Sequence, residues 1–591
     1  MKNRPAGGST SVLLTCLSTL LAVLPADAAS NFDVPWSDKK FGPDGPWQAV
    51  SVAVGGDNSD VNIGSQNTTN LQLYPGGTYN SWTYRAAACV DPQDTSCGQG
   101  GLWDIDPDER VNQLIAYAPG MSDAASGINV DNRYVRLYTT GLTINGHTVW
   151  NASVASVSTA NVTYPNGKVA GVPLGSLSLG GGDTDGSDQY QFFTRNASRP
   201  GDGYSAWIFP GWLYNNSIIP SYSYGLHIGS AAFNYPGSLV FGGYNKGRVI
   251  APVTAFSNET NIDLLDITIG VATGGTPFNF TRKDKLLSGG QTSVALDPRA
   301  PYMSLPRATC DSIVENLPIS FDDTLKYYLW NTNDPNYARI VSSPAYLGFS
   351  FPQSDSGSGN LTIRVPFALL NLTLDKPITD TPRQYFPCVP YEGNSKLGRA
   401  FLQAAFIGRH WDTQTSWLAQ APGPGNTRRG LGDARTDIAA TTTRIDGSTG
   451  NDLFAESWSN QLKALPGNDG DSQNGGGNGS GGNGGSSGGL STGAKAGIGV
   501  GAAVGGLAVL AVGAFFLGRR RRNKTADNPY EHDANTHAAP YTDNKTPADH
   551  YAHQEPLPQQ GWNHHTPVEL PPNHAQPIEL ADSSAHGRPQ H

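Results

Sequence analysis

The chain is poorly provided with the residue patterns of metal and thiol chemistry. It contains neither HExxH nor CxxC, so spacings that commonly hold zinc or run dithiol exchange are missing. Nine of the twelve histidines, His564-His565 among them, lie beyond residue 530. That segment is too polar to fix a coordination geometry, so they read as solvated, and no metal or other cofactor is expected. No Ser/His/Asp set stands out among the many serines. Positive charge is short as well: 39 Lys and Arg face 49 Asp and Glu, a net charge of -10. That balance argues against nucleic acid as a partner.

Long hydrophobic runs occur in only two places. Residues 1–29 read as a secretory signal, with Lys2 and Arg4 ahead of an apolar stretch from Ser11 to Leu24 and a small-x-small site at Ala26-Asp27-Ala28. Residues 496–517 are an uncharged run of 22 residues, about 33 Å as a helix, which matches a bilayer core. Arg519, Arg520, Arg521, Arg522 and Lys524 follow directly, a cluster that stays cytoplasmic. The expectation is a single-pass type I protein at the plasma membrane or cell surface, with its N-terminal part outside. Residues 518–591 would be a disordered cytoplasmic tail, rich in Pro, His and Asn. Residues 422–495, ending in a Gly/Ser/Asn tract, would be a flexible stalk, since they offer little apolar surface to offset chain entropy. Within the span, Gly497, Gly501 and Gly505 recur every four residues, the small-xxx-small spacing that allows self-association.

Cysteine is scarce. Cys16 leaves with the signal, and Cys89, Cys97, Cys310 and Cys388 remain. An even number outside the cell suggests two disulfides, and spacing alone allows three pairings. Asn-x-Ser/Thr sequons stand at Asn67, Asn151, Asn161, Asn196, Asn215, Asn258, Asn279, Asn360 and Asn371, a density that fits a glycosylated exterior. Residues 45–420 hold the only block able to build a sizeable core. Its apolar runs are short, alternating and β-branched, as at Leu265, Ile267, Ile269 and Val271. Tyr134–Tyr138 and Leu142–Val149 read as two strands and a tight turn. Ala308–Leu317 is the best helical signal. The expected class is all-β, in two lobes.

Several segments then occur in a telling order. Leu73-Tyr74-Pro75-Gly76-Gly77-Thr78 leads to Trp82, followed by Cys89 and Cys97; Gly237–Asn245 contains Phe241-Gly242-Gly243; Val294-Ala295-Leu296-Asp297-Pro298-Arg299 precedes Tyr302–Pro306; and Lys396-Leu397-Gly398-Arg399-Ala400-Phe401 precedes Leu418–Ala421. This order resembles the pepsin-like aspartic proteases over about two thirds of the chain. The resemblance implies a bilobal fold with a cleft, lobes at 45–248 and 249–421, and disulfides Cys89–Cys97 and Cys310–Cys388. The combination of signal, ectodomain, stalk, span and tail resembles membrane-anchored proteins of filamentous fungi.

In that family two aspartates, each followed by Thr/Ser-Gly, share one proton; one carboxylate takes a proton from water while the other donates. Counted back from Trp82, the resemblance puts Pro75 in the first aspartate position. Asp297 holds the second, but Pro298 lacks both the hydroxyl and the N–H expected after it, and Arg299 is placed to pair with Asp297 and lower its pKa. Ser126-Gly127-Ile128-Asn129 stands where a flap tyrosine is expected. Asp355-Ser356-Gly357-Ser358 spells the motif, but between two strands it reads as a hairpin turn, and Asp183-Thr184-Asp185-Gly186 as a loop. Asp104 and Asp106 stand near the first disulfide. The reading that follows is a degenerate, non-catalytic domain whose cleft takes a peptide or protein ligand. The alternatives are a surface-anchored acid endopeptidase, using Asp297 with another aspartate, and a structural wall-associated glycoprotein.

Overall fold

The computed structural model describes residues 29–467, apart from 59–62, 92–93, 105–111, 115–121, 132–133, 182–188, 194–202, 258–260, 354–358 and 426–432. The expected signal, membrane span with its three glycines, and tail lie outside the described residues. Among the described residues no helix is long and apolar enough to cross a membrane.

Strands dominate, as the alternating pattern predicts. Asp266–Val271 buries Ile267 and Ile269 completely and leaves Val271 half-buried, and it pairs with Ala345–Pro352. The hairpin at 134–149 forms, but its turn differs from the expected one. Val135–Ile144 runs unbroken through Gly141 across a bulge, and the chain reverses at Asn145-Gly146, both at positive φ. Asn-Gly suits such a turn, because its twist matches that of the flanking strands. The helix covers Arg307–Val314, a little short of Leu317. Cys89–Cys97 and Cys310–Cys388 are bonded.

Two features position the site. The first is a six-stranded sheet, ordered Phe32–Val34, Ser238–Phe241, Ser223–His227, Ala405–His410, Thr415–Gln420 and Ile250–Phe256. It joins the two halves of the chain, and Leu226, Leu239, Phe241 and Leu418 fill its buried face. Each such side chain contributes about 1.5–3 kcal/mol by leaving water.

The second is an arrangement that occurs twice. Gly175–Leu177 inserts between two earlier strands, parallel to Ile63–Pro75 and antiparallel to Ser81–Tyr84. Lys396–Leu397 inserts in the same way, parallel to Thr292–Leu296 and antiparallel to Met303–Leu305. A late strand thus wedges apart two strands that would otherwise form a hairpin. The connection between them, 76–80 in one half and 297–302 in the other, is pushed out as a loop. Gly398 is required beside the second wedge, where any Cβ would run into the carbonyl of Ala300.

Two domain boundaries differ from expectation. The body begins near residue 29 rather than 45, because Phe32–Val34 is an edge strand of the six-stranded sheet. The expected stalk does not begin at 422. Arg435–Asp437 pairs with Gly243–Asn245, and the helix Leu453–Trp458, capped by Asp452, buries Leu453, Phe454 and Trp458 against the body. Trp458 packs edge-on to Phe233 with ring centroids 5.4 Å apart. Between glycines and aspartates, those few large apolar residues suffice to dock the segment, and composition averaged over the stretch concealed them.

Candidate functional site

The two loops meet. Register decides which residue of the first loop faces the second. Asp297 N–H donates to Leu397 O (3.3 Å), and Ala295, two residues earlier, donates to Ser395 O (2.9 Å). Alternate residues therefore turn their N–H toward the inserted strand. In the first half the equivalent donor is Gly76, bonded to Leu177 O at 2.9 Å. Pro75 is the last residue of its strand, pairs with Leu177 and has no N–H to give. Gly76, not Pro75, is thus the counterpart of Asp297. Counting back from Trp82 misplaces the corner by one residue, because the first loop is one residue shorter than the second.

Gly76 leaves no space for the missing carboxylate. A Cβ there would lie 2.7 Å from Arg299 Cγ and 3.2 Å from Pro298 Cγ, and the residue's φ of +153° is one that side chains rarely tolerate. Arg299 fills the ground between the loops.

Asp297 is 8% exposed, and its carboxylate is surrounded by donors. Arg299 reaches Oδ1 through Nε and Oδ2 through Nη2, both at 3.2 Å, and its backbone N–H bonds Oδ1 at 3.0 Å. Lys396 Nζ bonds Oδ2 at 3.2 Å and also Asp123 Oδ1 at 2.8 Å. Asp123 caps the short turn Ala124–Ser126 and accepts from the Ser126 hydroxyl; Ser304 Oγ, from the second half, donates to Ala125 O at 3.4 Å. The segment 123–126 is thereby pinned to the second half by a chain of alternating charges, Asp123, Lys396, Asp297 and Arg299.

The electrostatics follow from this geometry. Burial by itself would push the Asp297 carboxyl up, but Arg299 and then Lys396 reverse that and hold it well below the usual carboxylate range. Burial works against the charge on Lys396, and Asp297 and Asp123 outweigh it, so its ammonium is held above the usual lysine value. Asp297 stays ionised and fully hydrogen-bonded under neutral and mildly acidic conditions. Asp123 is the carboxylate brought nearest by this network, yet the Lys396 ammonium stands between it and Asp297, bonded to both.

Arg399 supplies a second tie. It is 5% exposed, donates from Nη1 to the carbonyls of Arg299 (2.6 Å) and Pro298 (3.3 Å), and lies 3.8 Å over the ring of Tyr74. One guanidinium thus holds the second loop to the strand that leads into the first, a cross-loop connection that Pro298 cannot make.

Asp104 lies elsewhere, paired with Arg85 and accepting from Ala86 N–H. Asp106, Asp183–Gly186 and Asp355–Gly357 lie outside the described residues. Among the sequons, Asn215, Asn279 and Asn360 are exposed; Asn151, Asn161 and Asn371 are half-buried, and the Asn371 amide is bonded to Tyr337 Oη. Asn196 and Asn258, and the side chain of Asn67, are outside the described set. Sequence reasoning missed Asp123, Lys396 and Arg399. The one available signal was Lys396 itself, a charge in a strand that otherwise reads as apolar.

No family model and no curated protein sequence matches the chain. Among solved structures it is similar to the crystal structure of an aspartic proteinase from Irpex lacteus, at 14% identity and a TM-score of 0.40, over 66% of this chain and 98% of that one.

Proposed function

We propose that this chain carries a pepsin-like, bilobal domain that does not cleave peptides and serves a single-span, glycosylated cell-surface protein as a binding or sensing module. The cleft would take a peptide or protein ligand, residues 468–495 would form the stalk, 496–517 the membrane span and 518–591 the cytoplasmic tail. Self-association through Gly497, Gly501 and Gly505 belongs to the same reading.

One observation carries the loss of catalysis: Asp297 is ion-paired to both Arg299 and Lys396, while Arg299 covers Gly76. Hydrolysis by a carboxylate pair needs one ionised and one protonated acid hydrogen-bonded to the same water. Among the described residues one carboxylate is in place, Arg299 and Lys396 hold it in the ionised form, and its oxygens already accept hydrogen bonds. Removing one member of such a unit lowers turnover by a factor on the order of 10⁴ or more. The apolar run at 496–517 with its basic flank supports the anchoring, and the exposed sequons support glycosylation.

The test is digestion of a broad peptide library by the purified full-length chain from about pH 3 to 7, beside an Asp297→Asn variant. Neither protein is expected to cleave. Cleavage by the wild type that disappears in the variant would establish the acid endopeptidase and overturn this reading.

A further inference from the structure

A small, partly open cavity of about 60 Å³ adjoins the Arg299 side chain. Its walls include Tyr74, Ser176, Arg299 and Arg399, apolar Val172 and Leu174, and two carboxylates: Asp123, paired with Lys396, and Asp44, which accepts from Trp47 Nε1. Three of these residues have a buried polar atom without a hydrogen-bond partner: Tyr74 Oη, Ser176 Oγ and Arg399 Nε. All three residues are more than nine-tenths buried. Buried polar groups are nearly always satisfied, so three orphans around one cavity mark a place built to meet something polar.

The donor set specifies its chemistry. Arg399 Nε–H can only donate, and the two hydroxyls can do so. Arg299 is neutralised by Asp297, but among the described residues no carboxylate lies within ion-pair distance of Arg399, whose visible partners are two carbonyls and the rings of Tyr74 and Trp47. A buried guanidinium with a free N–H beside two free hydroxyls favours an anionic acceptor, and planar carboxylates suit guanidinium best. The space admits roughly four to six non-hydrogen atoms, at about 10–15 Å³ of such volume for each water-sized occupant. The apolar wall suits a carbon chain behind the head.

We propose that this cavity binds a carboxylate carrying a short apolar chain, held by Arg399, Tyr74 and Ser176. The proposal rests on the reading of the domain as a binding module and names the chemistry of its ligand. Two sources share that chemistry, a free short-chain acid and the C-terminal carboxylate of a peptide.

The test is calorimetric titration of the full-length chain, solubilised in detergent, near neutral pH where carboxylic acids are ionised. The probes are butyrate against butyramide, and a peptide ending in valine as its free acid against its amide. Saturable heat with an acid and none with its amide is expected, and whichever pair shows it identifies the source. Tyr74→Phe and Ser176→Ala should each weaken that binding about fivefold, the loss of one neutral hydrogen bond. Both variants should melt no lower than the wild type without ligand, because each removes an unsatisfied buried hydroxyl. Equal binding of acids and amides, wild-type affinity in both variants, or no saturable binding at about 10 mM (weaker than an affinity of the millimolar class) would each overturn the proposal. Binding is read independently of peptide cleavage, so this inference and the loss of catalysis can fail separately.

Discussion

Arg299 occupies the ground in front of Gly76: a Cβ at residue 76 would fall 2.7 Å from Arg299 Cγ. The first loop therefore lacks both an acid and the space for one. Gly76→Asp is expected to lower stability by about 2 kcal/mol or more, from the overlap and the positive φ together, without producing peptidase activity. Arg299→Gly clears the overlap but also deprives Asp297 of its main partner, so it should be destabilising alone and less than additive with Gly76→Asp. Urea midpoints of the single and double variants decide the matter, and a Gly76→Asp protein as stable as wild type would refute the packing argument.

The Asp297 cluster makes a pH prediction. Its carboxyl is held below the ordinary value in the folded protein, so the unfolded chain takes up this proton first as pH falls. The stabilisation is complete above the unfolded carboxylate value near 4 and declines as pH drops below it toward the folded value. Asp297→Asn should cost about 3 kcal/mol at neutral pH, because two cations lose a buried partner. The gap between wild type and variant should narrow as the pH drops below about 4. Denaturant melts at three pH values measure it, and a gap that widens on acidification would contradict the assignment.

His227 pulls in the same direction for a different reason. It is 1% exposed, with Nε2 at 2.9 Å from Gln403 O and Nδ1 at 3.4 Å from Arg248 Nη1, contacts that suit a neutral ring protonated on Nε2. Burial, and then the Arg248 charge, lower its pKa to about 3. The unfolded chain binds this proton from about pH 6.5 downward while the folded protein refuses it, so stability is full above 6.5 and falls steadily toward pH 3. The loss can reach about 4 kcal/mol. His227→Gln should flatten the pH dependence of the melting temperature across that window, and an unchanged slope would exclude the histidine as its source.

The C-terminal segment gives a prediction about where the folded body ends. A chain stopped at residue 425 loses Ile438, Leu453, Phe454, Trp458 and Leu462, all buried, and uncovers Phe233 and Tyr346. It is expected to melt several degrees lower than a chain stopped at residue 467, consistent with losing more than about 3 kcal/mol of apolar burial. Equal melting temperatures would mean the segment docks without contributing.

Much of this was legible in local pattern. Alternation identified the strand at Asp266–Val271, and the order of short motifs led to the two cysteine pairs and to Asp297 with Arg299 beside it. The hairpin turn was misplaced because the segment was divided between Tyr138 and Leu142, whereas the ladder runs on through Gly141 in a bulge and the reversal falls to Asn145-Gly146. Residues 433–467 were read as stalk because glycine and serine dominate the average over 422–495, although five apolar side chains are enough to dock them.

The sequence alone determined that residues 73–78 hold no aspartate and that a fixed cation stands two residues after Asp297, since both are matters of residue identity. Only the tertiary structure decided that Gly76 faces Asp297, because strand parity and loop length are properties of paired chains. It alone brought Asp123, Lys396 and Arg399 to the same place, because the inserted strand Lys396–Leu397 draws together residues far apart in the chain, and an ion pair across such a distance leaves no local trace in composition or spacing.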